Sequence, residues 1–165
     1  TETLMDLSHR VEDILQGAAL MTGTAVDAQW DEHPMSLPVR NNETLARRWG
    51  ATQASRGRDV LPAGTLPDSQ AASTDFGNVS HLVPGIHPLV KIAPEGTALH
   101  TTDFAAAAIS DQAFEGAFDA AVGLAQTIAD ILNDPQLLAD AQEEFRLAGG
   151  AISVEKLLAG AAEQP

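Results

Sequence analysis

Residues 72–92 read ASTDFGNVSHLVPGIHPLVKI, and residues 96–104 follow with GTALHTTDF. Small, hydroxyl and imidazole side chains cluster here between two apolar segments, a composition suited to a site more than to a core. Asp75 is placed to cap a short helix over Phe76 to His81, because its carboxylate can accept the free N–H groups of the first turn. Pro84-Gly85 closes that segment. IHPLVKIA (86–93) is short, apolar and branched, which predicts an interior strand. PEGTALHTTD is then a loop bent at Gly96.

On either side of this stretch the pattern is largely helical. Leu4, Leu7, Val11, Ile14, Leu15 and Ala18 recur at three- and four-residue steps, predicting an amphipathic helix over 2–20 that stops at Gly23. Val26, Ala28 and Trp30 alternate with acidic or amide residues in TAVDAQWDE, the period of a half-buried strand. The prolines of HPMSLPVRNN (33–42) mark a crossing between domains. Asn41 or Asn42 caps a helix over NETLARRWGATQAS. The Gly- and Pro-rich stretch from Arg56 to Ala72 is loop, with a short strand at DVL. From Phe104 the chain is helical again, and Phe114, Phe118, Ala121, Ala125, Ile128 and Leu132 form a sustained apolar face. Gly116 and Gly123 leave a smooth stripe on that helix where another backbone can approach. Asn133-Asp134-Pro135 ends one helix and starts the next, and SVEKLLAGAA makes a last short one. The sum is an α/β fold with few strands for its helices.

Composition narrows the functional classes. The chain has 165 residues, no cysteine, and 23 acidic against 9 basic residues, a net charge of −14. A nucleic-acid phosphate backbone would be repelled. No apolar run is long enough to span a membrane. Disulfides and thiolate metal sites are excluded, and a cytoplasmic location is the default. The one basic patch, Arg47 to Arg58, reads as a solvated helix end.

Five histidines are the remaining candidates. His9 falls on a helix surface and His33 at a strand exit. His81 suits the exposed carbonyls of a helix end, and His87, before Pro88, is held extended. His100 differs, since it lies in a loop just past an apolar strand, where α/β proteins build sites. Thr101, Thr102 and Asp103 follow it and can fix an imidazole tautomer. No second histidine or carboxylate pair stands at metal-ligand spacing, and no Gly-x-Ser-x-Gly elbow is present.

The segments 72–92 and 96–108, with the helices AFDAAVGLAQTIADILNDPQLLADAQEEF, resemble the C-terminal catalytic segment of the dinuclear zinc amidohydrolases and metallopeptidases. That family includes aminoacylases, carboxypeptidase G and the aminobenzoyl-glutamate hydrolases. Residues 3–33 resemble the last helix and strand of the family's inserted α+β lid or dimerisation domain. The resemblance implies two units: 1–38, the end of the lid domain, and 39–165, the C-terminal half of a zinc-peptidase-like catalytic domain. It implies hydrolysis of amide bonds in N-acyl amino acids or dipeptides by two zinc ions, with manganese or cobalt as substitutes. His100 matches the family's final metal-ligand histidine, and Ser73, Thr74 and Asn78 fall where a hydroxyl-rich segment meets substrate. Asp75 is then a structural cap rather than a ligand.

The family's other ligands and its glutamate base lie in an N-terminal half that has no counterpart here. The chain is therefore expected to be a fragment, inactive alone, completed by that missing half and dimerising through the lid. The alternative is a stand-alone acidic helical interaction domain without catalysis. A further reading takes Ser73 or Ser80 as a nucleophile, with no base placed to serve it.

Overall fold

The computed structural model describes residues 2–29, 36–62, 64–65 and 74–154. Six helices follow in order: α1 (Glu2–Thr22), α2 (Glu43–Ser55), α3 (Phe76–Ser80), α4 (Thr102–Ala107), α5 (Asp111–Asn133) and α6 (Pro135–Leu147). The helix boundaries follow the sequence signals closely. Asn42 caps α2, its side chain accepting the Leu45 amide. Asp134 caps α6 through the Gln136 and Leu137 amides, with Pro135 in the first turn. Gly23 ends α1 with φ of 68°. There the Thr24 amide reaches back to Ala19 O and the Gly23 amide to Leu20 O, the paired bonds of a Schellman stop.

The α/β expectation is overturned. Among the described residues every regular element is helical and none is a strand. Residues 24–29, 58–62 and 84–92 carry extended-type sequence, but a strand exists only when a neighbouring strand supplies its N–H and C=O partners. No such neighbour is in place among the described residues. The Leu89 side chain, expected inside, is 74% exposed. The expected strand residues 30–31, the Trp30 side chain and His33 lie outside the described residues, as does most of the last predicted helix.

α2, α5 and α6 pack on one another. Leu45 and Trp49 of α2, Ala113 of α5 and Ala141 of α6 are buried, as is Gln53, whose Nε2 donates to Asp119 O. The glycine stripe on α5 works as its spacing predicts. A Cβ on Gly123 would lie 2.6 Å from Trp49 Nε1, and one on Gly116 would lie 2.9 Å from Ile92 Cγ2. These contacts bring α2 and the 88–93 segment directly onto the α5 backbone.

The apolar face read from the sequence points the other way. Phe114 is 75% exposed and Leu132 78%, and Phe118 and Ile128 are exposed as well. α5 thus packs through its small residues and leaves its large ones outside. α1 likewise leaves Leu7 and Ile14 exposed. Nor is the basic patch a solvated helix end. Arg56 and Arg58 both bind Asp119, at 2.5 and 2.6 Å, and Arg48 pairs with Asp130, so the patch ties α2 to α5. The Arg56 and Arg58 hydrogen bonds hold the Asp119 carboxyl below its usual value.

Glu144 of α6 joins α2 from the other side. Its carboxylate accepts the Glu43 amide at 2.5 Å, the Thr44 amide at 2.9 Å and the Thr44 hydroxyl at 2.7 Å. A carboxylate at a helix N-terminus takes orphan donors and meets the positive end of the helix dipole. Partial burial pushes the Glu144 carboxyl up, but these hydrogen bonds and the nearby Arg47 charge outweigh it, and the net direction is down.

The remaining order comes from an unusual crossing. Residues 37–42 run across α3, whose side chains satisfy their backbone. Leu37 N donates to Asn78 Oδ1 at 2.8 Å, and Arg40 N donates to Ser80 Oγ at 2.9 Å. His81 Nε2 lies 3.0 Å from Pro38 O. Asn42 N donates to Gly85 O, and His87 N donates to Asn41 Oδ1. The approach is so close that a Cβ on Gly77 would overlap the Leu37 carbonyl oxygen.

Two outcomes test this packing. Gly77→Ala should destabilise the fold by about 3 kcal/mol or abolish it, because the obstacle is backbone. Gly17→Ala in α1, where a Cβ meets nothing within 4 Å, should instead help its helix by roughly 0.5–1 kcal/mol; urea denaturation compares the two. For Glu144, the depressed folded-state pKa means its contribution is present above the ordinary glutamate value of 4.5 and is lost as pH falls through the lower folded value. An acid titration followed by circular dichroism should be shallower below that pH in Glu144→Gln than in the parent chain.

Candidate functional site

The motif 74–81 is largely committed to structure. Ser73 lies outside the described residues. Thr74 is half-buried, its hydroxyl accepting the Phe76 amide and donating to Asp75 Oδ1, both at 3.3 Å. Asp75 holds the N-cap position of α3, yet its side chain makes no capping bond; the helix amide goes to Thr74. Asn78 gives its carbonyl oxygen to Leu37 N. Ser80 is fully buried, donating to Gly77 O at 2.6 Å while accepting from Arg40 N. That burial removes Ser80 as a nucleophile. His81 is only 8% exposed, and its Nδ1 is buried without a hydrogen bond among the described residues. His87 is exposed, its ring tilted against Phe76 at 5.4 Å between centroids.

His100 stands away from this cluster. It is exposed, directly before α4, with φ of 60°. It is the only non-glycine with positive φ among the described residues. A left-handed backbone costs a side-chain-bearing residue about 1–2 kcal/mol and marks places where the surroundings dictate an orientation. Those surroundings are specific. Thr101 caps α4 by accepting the Phe104 amide at 3.2 Å, and its hydroxyl donates to Ala98 O at 2.8 Å. Thr101 is therefore committed to the loop rather than to the His100 ring. Upstream, buried Ala93 and the Ile92–Gly116 contact anchor the start of the loop.

Beside this loop lies a cleft of about 390 Å³ between Pro94, Thr97 and the α4–α5 corner, with Asp103 as its charged lining residue. Sequence reading missed the cleft, although the three-residue step from His100 to Asp103 was in view. Among the described residues, no three His, Asp or Glu side chains gather where an ion could be held. None of the described helices is long and apolar enough to cross a membrane.

No protein-family model matches the chain, and no solved structure matches it. Curated proteins do. The chain is 34% identical over 143 residues to the Xaa-Arg dipeptidase of Mus musculus and 33% identical over 144 residues to that of Homo sapiens. Each alignment takes in 87% of this chain and 33% of the dipeptidase. A p-aminobenzoyl-glutamate hydrolase subunit of Escherichia coli (strain K12) is 27% identical over 196 residues, covering 87% of this chain and 41% of the hydrolase polypeptide. The similarity is to peptidases and amidohydrolases. The chain spans about a third of the length of the dipeptidases it matches.

The strain at His100 is testable without any ligand. His100→Gly should hold or raise thermal stability, by up to about 1 kcal/mol, since glycine adopts this backbone freely. His100→Val, branched at Cβ, should lower it.

Proposed function

We propose that this chain belongs to the dinuclear metal amidohydrolases and supplies the last metal-ligand histidine, His100, of an enzyme cleaving amide bonds in dipeptides or N-acyl amino acids. The similarity to a dipeptidase and to an aminobenzoyl-glutamate hydrolase across 87% of the chain carries the reading. The exposed His100, with its left-handed backbone at the head of α4, supports it. Ser73 keeps the role of a substrate-side hydroxyl in this reading, while Thr74 and Asn78, whose polar atoms are engaged within the protein, order the segment that carries it.

One imidazole does not fit a two-metal centre, because each catalytic zinc takes about three protein ligands. The described residues of this chain alone do not provide them. The reading assigns the remaining ligands and the general base to polypeptide corresponding to the part of the dipeptidases that this chain does not match. The exposed apolar faces of α1 and α5 favour this over a self-contained acidic interaction domain, which would bury such faces itself. Zinc as the metal, dimerisation through the lid and a cytoplasmic setting belong to the same proposal.

The chain by itself, with added zinc, should hydrolyse no dipeptide or acyl-amino acid; measurable turnover would overturn the assignment of the missing ligands. In an enzyme that joins this chain to the remaining polypeptide, His100→Ala should lower kcat/KM at least a hundredfold or so and release one metal ion. Full activity with both metals bound would remove His100 from the site.

A further inference from the structure

Along residues 86–92 burial alternates residue by residue. Ile86, Pro88, Val90 and Ile92 are half-buried, and His87, Leu89 and Lys91 between them are exposed. That is the two-residue period of a strand. The inner row rests on α5, where the Ile92 and Val90 side chains meet the Gly116 position. In such a run the N–H and C=O of one residue serve the same edge, and successive residues serve opposite edges. The edge of Gly85 and His87 is satisfied at its start, Gly85 O by the Asn42 amide and His87 N by Asn41 Oδ1. Beyond Asn42 the neighbouring chain coils into α2. The same edge continues through Leu89 and Lys91, whose backbone groups form no hydrogen bond among the described residues. The opposite edge is interrupted at Pro88, which has no N–H to give.

We infer that the edge carrying Leu89 and Lys91 is a docking site for an added strand, supplied by the polypeptide that corresponds to the unmatched part of the dipeptidases. The choice of occupant rests on the reading under Proposed function, and this chain by itself stays helical. A row of unpaired N–H and C=O groups is a template for another extended segment. Main-chain bonds then give the attachment, and alternate side chains fix its register. The inward side chains of the incoming strand are apolar, continuing the row of Ile86, Val90 and Ile92. A second copy of this chain is the poorer occupant. Two chains of charge −14 repel each other, and antiparallel pairing about Leu89 would set His87 opposite Lys91 twice, with no opposite charge to join them. The mouse dipeptidase, matched over 33% of its length, leaves about two thirds of its polypeptide as a source.

The test is amide hydrogen exchange, read by mass spectrometry on peptides covering 86–93, in this chain alone and in a chimera joining it to the unmatched part of the mouse dipeptidase. The buried face of α2 at 45–53 reports that each protein is folded. In the chain alone the 86–93 amides should exchange close to the free-peptide rate, and in the chimera Leu89 and Lys91 should slow at least about a hundredfold. Lys91→Pro removes one donor from that edge and should abolish the slowing in the chimera while 45–53 stays protected; Lys91→Ala keeps the N–H and should retain it. Protection of 86–93 in the dilute chain alone would overturn the inference, as would protection that grows with its concentration, the mark of a second copy. Fast exchange in a chimera whose 45–53 is protected would overturn it too. Exchange is read without turnover. A chimera that is active but unprotected at 86–93 ends this inference and leaves His100 in place, and one that is protected but binds no metal at His100 does the reverse.

Discussion

The carbonyl of Leu37 occupies the place where position 77 would carry a side chain, and much of the described structure hangs on that approach. With no neighbouring strand among the described residues, the backbone of 37–42 must find partners elsewhere or lose about 1–3 kcal/mol for each buried group left bare. α3 and the residue that ends it provide them through Asn78, Ser80 and His81. Order then spreads from this crossing into the helices. Arg40 reaches Ala148 O and Gly150 O at the end of α6 and lies over the Phe145 ring. Asn42 caps α2 and donates to Ala141 O in α6. One short extended run therefore ties α3 to α2 and α6, two of the three helices of the packed core.

This explains the polar richness of 74–81 differently from a binding site. Its glycine, amide, hydroxyl and imidazole stand in for the ladder a sheet would have offered. From sequence, a side chain serving distant backbone and one serving a ligand look alike, because both need short polar groups on a tight turn. Only the partner distinguishes them, and here the partner lies about forty residues earlier in the chain. The loop before α4 was legible for another reason: the bend at Gly96 is a local signal that neighbours alone can place. Thr101, read as a partner of the His100 imidazole, instead caps α4, which starts at Thr102 rather than Phe104.

Several helix ends were legible, since caps act within a turn: Asn42, Asp134 and Gly23 each do what their type predicts, whereas Asp75 makes no capping bond and the break capped by Ser110 between α4 and α5 was not foreseen. Which side of a helix is buried was not. Periodicity locates an apolar face without naming what covers it. In α5 the closest packing falls on Gly116 and Gly123, where α2 and the 88–93 segment reach the backbone, while the phenylalanines of the opposite face stay in water. The strand expectations failed for a related reason. Alternation and branching describe a residue's readiness to pair, and pairing needs a second strand.

The outward ridge of α5 also bears on how molecules of this chain meet in solution. Phe114, Phe118, Ile128 and Leu132 present a hydrocarbon surface that would favour self-association, and the charge of −14 opposes it by repulsion. The two forces differ in reach. Added electrolyte shortens the electrostatic one from about 10 Å at 0.1 M to about 3 Å at 1 M and leaves the hydrocarbon attraction intact. Colloidal behaviour should accordingly be best in dilute buffer, with clustering setting in as salt is raised.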